Sequence, residues 1–245
     1  MCDLFAMSCN EVDRASQILP LFRELGRRNR DGWGIGWFDG NSATVERSPD
    51  RADLNDRFAE LIEEIRSNSI LAHVRWATRG YDGSINNCEC NCHPFRRHYQ
   101  GRDWIMAHNG VVAGATPHHL SEGETDSEQI FHQIMDKVEE YQNQRGIRGT
   151  YSAVKFAIRH VIERYGTDIN LNLLISDGNS LYVFHHHHSK PIYLLRRQKR
   201  YGGAALVSTK ILTETEDWEE LEFDRLLVLD RGEVSMNFYP LFRSS

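Results

Sequence analysis

Strand-forming runs outnumber helical ones along this chain, and the two kinds are kept apart. Runs rich in β-branched, aromatic or other apolar residues occur at 32–38, 43–47, 70–76, 104–107, 171–176, 181–184, 192–195, 204–207, 226–229 and 234–237. Such runs, bounded by Gly, Asp, Asn or Pro, predict strands. Between the first two, Asp39-Gly40-Asn41 predicts a hairpin turn. Helical periodicity is confined to three stretches. Residues 54–66 put Phe58, Leu61, Ile62 and Ile65 on one face at spacings of three and four. Residues 128–142 and 151–165 repeat that pattern, the latter through Val154, Ala157, Val161 and Ile162. A parallel sheet needs a crossover, usually a helix, between its strands. Blocks of strands with segregated helices predict an α+β fold instead, with sheets packed face to face and helices outside.

With 245 residues, 40% of them hydrophobic, the chain can bury a large core, as one large domain or two small ones. A net charge of −6 argues against a nucleic-acid partner, which rewards a basic patch. No window of 18 apolar residues predicts a membrane helix. The start, Met1-Cys2-Asp3-Leu4-Phe5, lacks the basic and apolar segments of a secretory leader, so no lipid anchor on Cys2 is expected either. The five cysteines, at 2, 9, 88, 90 and 92, are odd in number and crowded. They do not form the framework of a secreted disulfide scaffold, and a cytoplasmic location is expected.

Five segments carry side chains suited to chemistry. Cys2 becomes the first residue once the initiator Met is removed, which sets its thiol beside a free α-amine. An α-amine titrates at about 7.7–8.0, a cysteine thiol at about 8.5. One residue then supplies both nucleophile and base. Asp31-Gly32-Trp33-Gly34-Ile35-Gly36 alternates glycine with large residues, the pattern of a strand that another backbone or a ligand approaches closely. Arg75, in His73-Val74-Arg75-Trp76-Ala77-Thr78-Arg79-Gly80, ends a strand and can grip a carboxylate with two parallel hydrogen bonds, with Thr78 adding a hydroxyl. His108-Asn109-Gly110 offers an amide and a backbone N–H side by side, as an oxyanion hole requires, but is also a common turn signal. Thr125-Asp126-Ser127-Glu128 reads as a helix capping box, and Asp126 could bind an ammonium group from that platform.

The order of these segments is more specific than any one of them. Met-Cys, DGWGIG, HVRWATRG, CHPF, HNG and ETDSE together resemble the class II glutamine amidotransferase domain, most closely its small stand-alone members. A stretch from Val207-Ser208-Thr209 to Gly232 resembles the closing strands of that family, so the likeness covers nearly the whole chain as a single domain over 2–245. The resemblance implies a four-layer αββα sandwich with Cys2 on an inner strand. It implies that Cys2 attacks the glutamine carboxamide and that Asn109 and Gly110 hold the oxyanion. It further implies that Arg75 and Thr78 bind the α-carboxylate, that Asp126 binds the α-ammonium, and that Trp76, His93 and Trp33 shape the pocket. No cofactor is implied. The expected partner is a small molecule, glutamine or another γ-glutamyl amide. With no residues left for a synthase domain, ammonia transfer would need a separate accepting protein. A self-contained γ-glutamyl amidohydrolase and a silent glutamine-sensing module are the other readings.

This chain departs from the family pattern in places. Arg79 and Asn29-Arg30 stand where histidines are frequent. Cys88-Glu89-Cys90-Asn91-Cys92-His93 lacks the CxxC spacing of a zinc loop, so free or redox-active thiols are expected there and no metal. The run His185-His186-His187-His188 is expected to alternate faces of a strand rather than form one compact site.

Overall fold

Several strands of this protein are apolar on both faces, which suits a sheet covered on both sides. The computed structural model describes residues 2–77, 86–145, 149–197 and 203–238. In it β1 (Asp3–Asp13) runs through the centre of a seven-stranded sheet. Leu4 and Ala6 face one way and Phe5 and Met7 the other, and all four are buried. This absence of polar alternation is why no period-two signal marks β1 in the sequence. Its sheet also holds β2 (Trp33–Asp39), β3 (Ser42–Ser48), β4 (Ser67–Val74), β9 (Tyr193–Arg197), β10 (Ala204–Ser208) and β11 (Glu219–Glu220). The order is β11-β9-β10-β1-β4-β2-β3. A six-stranded sheet faces it, made of β5 (Phe95–Tyr99), β6 (Arg102–Val111), β7 (Asn170–Ser176), β8 (Ser180–His185), β12 (Arg225–Asp230) and β13 (Glu233–Phe238). Its order is β13-β12-β8-β7-β6-β5. The strand pairings in both sheets are antiparallel.

Three apolar layers hold the fold. Leu4, Ala6, Leu71, Ile105, Ala107, Leu174 and Val207 pack between the sheets. Outside the larger sheet, α1 (Leu19–Arg23) and α2 (Asp56–Glu64) set Phe22, Phe58 and Leu61 on Phe5, Trp33 and Ile35. Outside the smaller sheet, α3 (Asp126–Arg145) and α4 (Thr150–Tyr165) set Phe131, Ile134 and Val161 on Met106, Leu171 and Leu173. The result is the α+β four-layer sandwich expected from the resemblance. Among the described residues no helix is long and apolar enough to cross a membrane.

Local chemistry explains the boundaries. Asn55 caps α2, its side chain accepting from Phe58 N at 3.1 Å, so that helix starts later than the expected residue 54. A nine-residue helix is marginal alone, and α2 is held by its buried face. The hairpin between β2 and β3 turns at Gly40, whose φ of 58° suits glycine. Asn109-Gly110 is not a turn. Both residues lie within β6, opposite Asn172 and Leu171 of β7. The strand expected to reach Trp76 ends at Val74, and Arg75 beyond it still donates to Gly32 O at 2.7 Å and accepts from Asp31 N at 3.0 Å.

The glycine alternation has a packing cause. Trp33 and Ile35 face the outer helices, so Gly34 and Gly36 face the second sheet. A Cβ on Gly34 would sit 2.0 Å from the His93 carbonyl oxygen. One on Gly36 would sit 2.8 Å from Ile105 Cδ1 and 2.9 Å from Pro94 Cγ. Missing side chains on β2 are thus the space filled by residues 93–94. Gly34→Ala should cost about 1–3 kcal/mol, the usual range for overpacking. Urea unfolding of the variant measures this, and an unchanged midpoint would mean that the 93–94 wall retreats freely.

Candidate active site

The pairing of β1 with β4 places the first functional side chain. Asp3 is opposite Val74, so Cys2, one residue before the strand, lies beside Arg75 and Trp76. The backbone N–H of Trp76 donates to Cys2 Sγ at 3.2 Å. Cys2 is half-buried. Burial pushes its thiol above the ordinary value, while the Trp76 N–H and the charges of Lys190 and Arg75 pull the other way. Across the sandwich, Asn109 shares the parity of Ile105 and Ala107 in β6 and so faces β1. Its side-chain amide donates to the Cys2 carbonyl, and so does the ammonium of Lys190.

A cavity of about 390 Å³ opens in front of Cys2. Cys2, Arg75, Trp76, His93, Gly110 and Asp126 all contribute to its wall. Arg75 lies in that wall. It is buried, and its guanidinium donates to Asp31 O at 3.1 Å and to Asn86 O at 3.4 Å. Asp126 heads the 20-residue α3, its carboxylate accepting from Val112 N at 2.7 Å and from Ser127 N at 2.9 Å. Thr125 Oγ1 caps the helix by accepting from Glu128 N at 3.2 Å. The Glu128 carboxylate does not close the reciprocal arm of a capping box. It accepts from Glu122 N and Gly123 N at 2.9 and 2.7 Å, fastening the loop before the helix. Gly110 cannot be replaced cheaply, since a Cβ there would meet Asn170 O at 1.8 Å.

The histidines near the cavity are held neutral. His93 Nδ1 and His73 Nε2 lie 3.0 Å apart, and burial keeps both rings well below the ordinary imidazole range. Two neutral rings can share one N–H···N bond, whereas two imidazoliums would oppose donor to donor. His108 bonds Ser127 Oγ at 2.8 Å and Asn170 O at 3.2 Å. Burial lowers its titration, against the opposing pull of the Asp126 charge. Trp33, in contrast, does not reach the cavity. Its ring is buried on the other face of β2, 5.0 Å from that of Phe58. Thr78 and Arg79 lie outside the described residues.

Sequence reasoning missed the polar group beneath Cys2. Asp3, buried, accepts from Lys190 Nζ at 2.8 Å, from Thr209 Oγ1 at 2.9 Å and from Asn29 Nδ2 at 2.7 Å. Asn29, noted as a departure from the family pattern, is therefore a partner of the residue after the candidate nucleophile. Asn91 was also missed. It is buried and ties the two sides of the cavity, accepting from Glu124 N at 2.9 Å and donating to Asn86 O at 3.4 Å. The crowded cysteines are not all free: Cys88 and Cys90 form a disulfide, while Cys92 is a buried thiol. The histidine run does not alternate along a strand, because β8 ends at His185. His185 and His186 take separate partners, Asn172 Oδ1 at 2.8 Å and Asp224 Oδ1 at 3.1 Å. Among the described residues no cluster of three or more His, Cys, Asp or Glu is arranged to hold a metal ion.

Known proteins resemble this chain in sequence and in fold. The family described as glutamine amidotransferases class-II matches residues 1–207. The chain is 30% identical over 222 residues to YafJ of Escherichia coli, a protein assigned to the glutamine amidotransferases, covering 86% of this chain and 82% of YafJ. It is 35% identical over 99 residues to a γ-glutamyl-hercynylcysteine sulfoxide hydrolase of Mycobacterium tuberculosis, covering 40% of this chain and 39% of the hydrolase. The fold superposes on a glutamine phosphoribosylpyrophosphate amidotransferase from B. subtilis with a TM-score of 0.67 at 17% identity, over 96% of this chain and 48% of that one.

The free thiols differ enough in surroundings to be told apart. Burial pushes Cys9 up to about 12 and Cys92 up to about 11. Cys2 alone of the three is half-exposed. Iodoacetamide at pH 8 should therefore label Cys2 well before Cys9 and Cys92, because Cys2 is the thiol that the reagent can reach. Peptide mass mapping over time reads the order, and faster labelling of Cys92 would contradict this account of the site.

Proposed function

Because the chain belongs to the class II glutamine amidotransferases, we propose that it hydrolyses the side-chain amide of glutamine with Cys2 as nucleophile. The observation that carries this reading is the convergence of Cys2, Arg75, Gly110 and Asp126 on one cavity. With Met1 removed, the α-amine of Cys2 takes the thiol proton and Sγ attacks the carboxamide carbon. The new negative charge on oxygen is met by Asn109 and Gly110. One N–H of the Asn109 amide already holds the Cys2 carbonyl, and a primary amide carries a second. The α-ammonium returns its proton to the departing nitrogen, and ammonia leaves. Water then attacks the γ-glutamyl thioester, with the amine again as base, and glutamate is released.

Arg75 and Asp126 read the other end of the substrate. A buried guanidinium favours a carboxylate, and an aspartate at a helix start favours an ammonium. Thr78 adds a hydroxyl to the carboxylate side in this reading. Trp76 and His93 shape the pocket, His93 as a neutral ring that places no competing charge beside Arg75.

A second reading has its own support, the local likeness to a γ-glutamyl-hercynylcysteine sulfoxide hydrolase. Here the same residues hold the γ-glutamyl half and the leaving group is an amine larger than ammonia. Glutamate release from L-glutamine and from a panel of γ-glutamyl amides, compared by kcat/KM, separates the two.

Cys2→Ala should lower glutamate release by at least about a thousand-fold, the scale of losing a nucleophile, with the fold intact by circular dichroism. The intact mass of the active protein should lack Met1. Retained Met1 in a fully active preparation would overturn the role of the amine. Asp126→Asn keeps an acceptor for Val112 N but removes the charge. It should raise KM for glutamine by about 10- to 150-fold, the worth of one charge-assisted hydrogen bond. An unchanged KM would remove Asp126 from substrate binding.

A further inference from the structure

A buried lysine contacts the candidate nucleophile's own backbone. Lys190 lies between β8 of the six-stranded sheet and β9 of the seven-stranded sheet, where the chain crosses from one to the other. Its carbonyl accepts from Asn172 Nδ2 in β7 at 2.9 Å, which fastens it to the smaller sheet. Its ammonium reaches the larger sheet, donating to the Cys2 carbonyl and to Asp3 Oδ1 at 2.8 Å. Lys190 is 6% exposed and Asp3 4%. Thr209 and Asn29 bond Asp3 from two further sides, so the carboxylate has little freedom to move.

The geometry points to Lys190 as the positioning residue of the Cys2 nucleophile, its ammonium braced by Asp3 and clamping the Cys2 carbonyl against the Asn109 amide. This assignment rests on the reading of Cys2 given above. Two donors from different elements fix the peptide plane that follows Cys2. That plane holds the Cα–C bond, which leaves the amine and the thiol only rotation about that bond and about the Cα–Cβ bond. A buried ion pair is a poor way to gain stability, because desolvation offsets the attraction. A well-packed apolar pair would fill the same volume, but it would leave the Cys2 carbonyl with one donor fewer.

The clamp also brings charge. Lys190 and Arg75 are the cations facing Cys2, Asp3 the adjoining anion, and Asp126 stands across the cavity. The imidazoles of His73, His93 and His108, and of His187 beside Lys190, are all lowered by burial, His187 to about 4. With those imidazoles neutral, the thiol and the amine are the groups beside Lys190 that its charge can bias. A cation beside them favours thiolate over thiol and free amine over ammonium.

Lys190→Met keeps the length of the stem and removes the charge and the donors. It should lower kcat for glutamine by about 10- to 100-fold with KM within about two-fold. It should also move the rising limb of Cys2 alkylation by iodoacetamide upward by about half a pH unit or more. Lys190→Arg should recover most of kcat. The double variant Asp3→Asn/Lys190→Met leaves no lone buried charge. It should return the alkylation limb toward its original place while kcat stays low, since the clamp is still absent. Wild-type kcat and an unmoved limb in both Met variants would overturn the proposal, as would loss of the fold in both, which would make Lys190 a structural strut. Activity surviving in Cys2→Ala would instead sink the reading of Cys2. The alkylation profile needs no substrate, so it reads Lys190 even if glutamine is not the amide cleaved.

Discussion

The layer between the two sheets must change from apolar to polar within two residues of β1. Leu4 and Ala6 sit in an apolar interface with Ala107 and Leu174, whose burial drives the sheets together. One step earlier, Cys2 and Asp3 meet Asn109, Lys190, Asn29 and Thr209. Polar groups there are out of bulk water, so each needs a partner. The hydrogen bonds that satisfy them come from β6, from the crossover at residue 190 and from the loop before β2. The end of the sandwich is therefore closed by a network rather than by apolar packing. The candidate nucleophile lies at its rim.

The second constraint is steric. Gly34 and Gly36 remove side chains from the inner face of β2, and residues 93–94 occupy the space. This brings His93 against His73 and to the cavity wall. From there the chain runs directly into β5 and the hairpin to β6, which carries Asn109 and Gly110. One close approach between two backbones thus places His93 on the cavity wall and leads the chain into the strand that carries Asn109 and Gly110. Burial keeps the imidazoles neutral, while the charges of Lys190 and Arg75 act on Cys2 and Asp3 pairs with Lys190.

Much of this was legible in the sequence. Ten of the strands and the three longer helices follow from apolar spacing, with ends displaced by caps such as Asn55, whereas β1, β5 and β11 do not. The residues proposed for the site, Cys2, Arg75, Asn109, Gly110 and Asp126, sit in short motifs whose order points to the family. Trp33 was misplaced because alternation in a strand says that two faces exist but not which one meets the cavity. Asn109-Gly110 carried a turn signal that strand pairing overrode. The cysteine cluster showed its crowding but not its pairing, which depends on how the loop folds.

The sequence alone determined most of the elements, the α+β class and the identity of the motif residues, because these depend on neighbours a few positions apart. Tertiary structure alone decided that Lys190 touches Cys2 across 188 positions, and that Asn29 and Thr209 hold Asp3. A lone lysine, asparagine or threonine has no periodicity to betray it. Its role exists only once strand register and the crossing between sheets bring it to a buried carboxylate and a carbonyl that need donors.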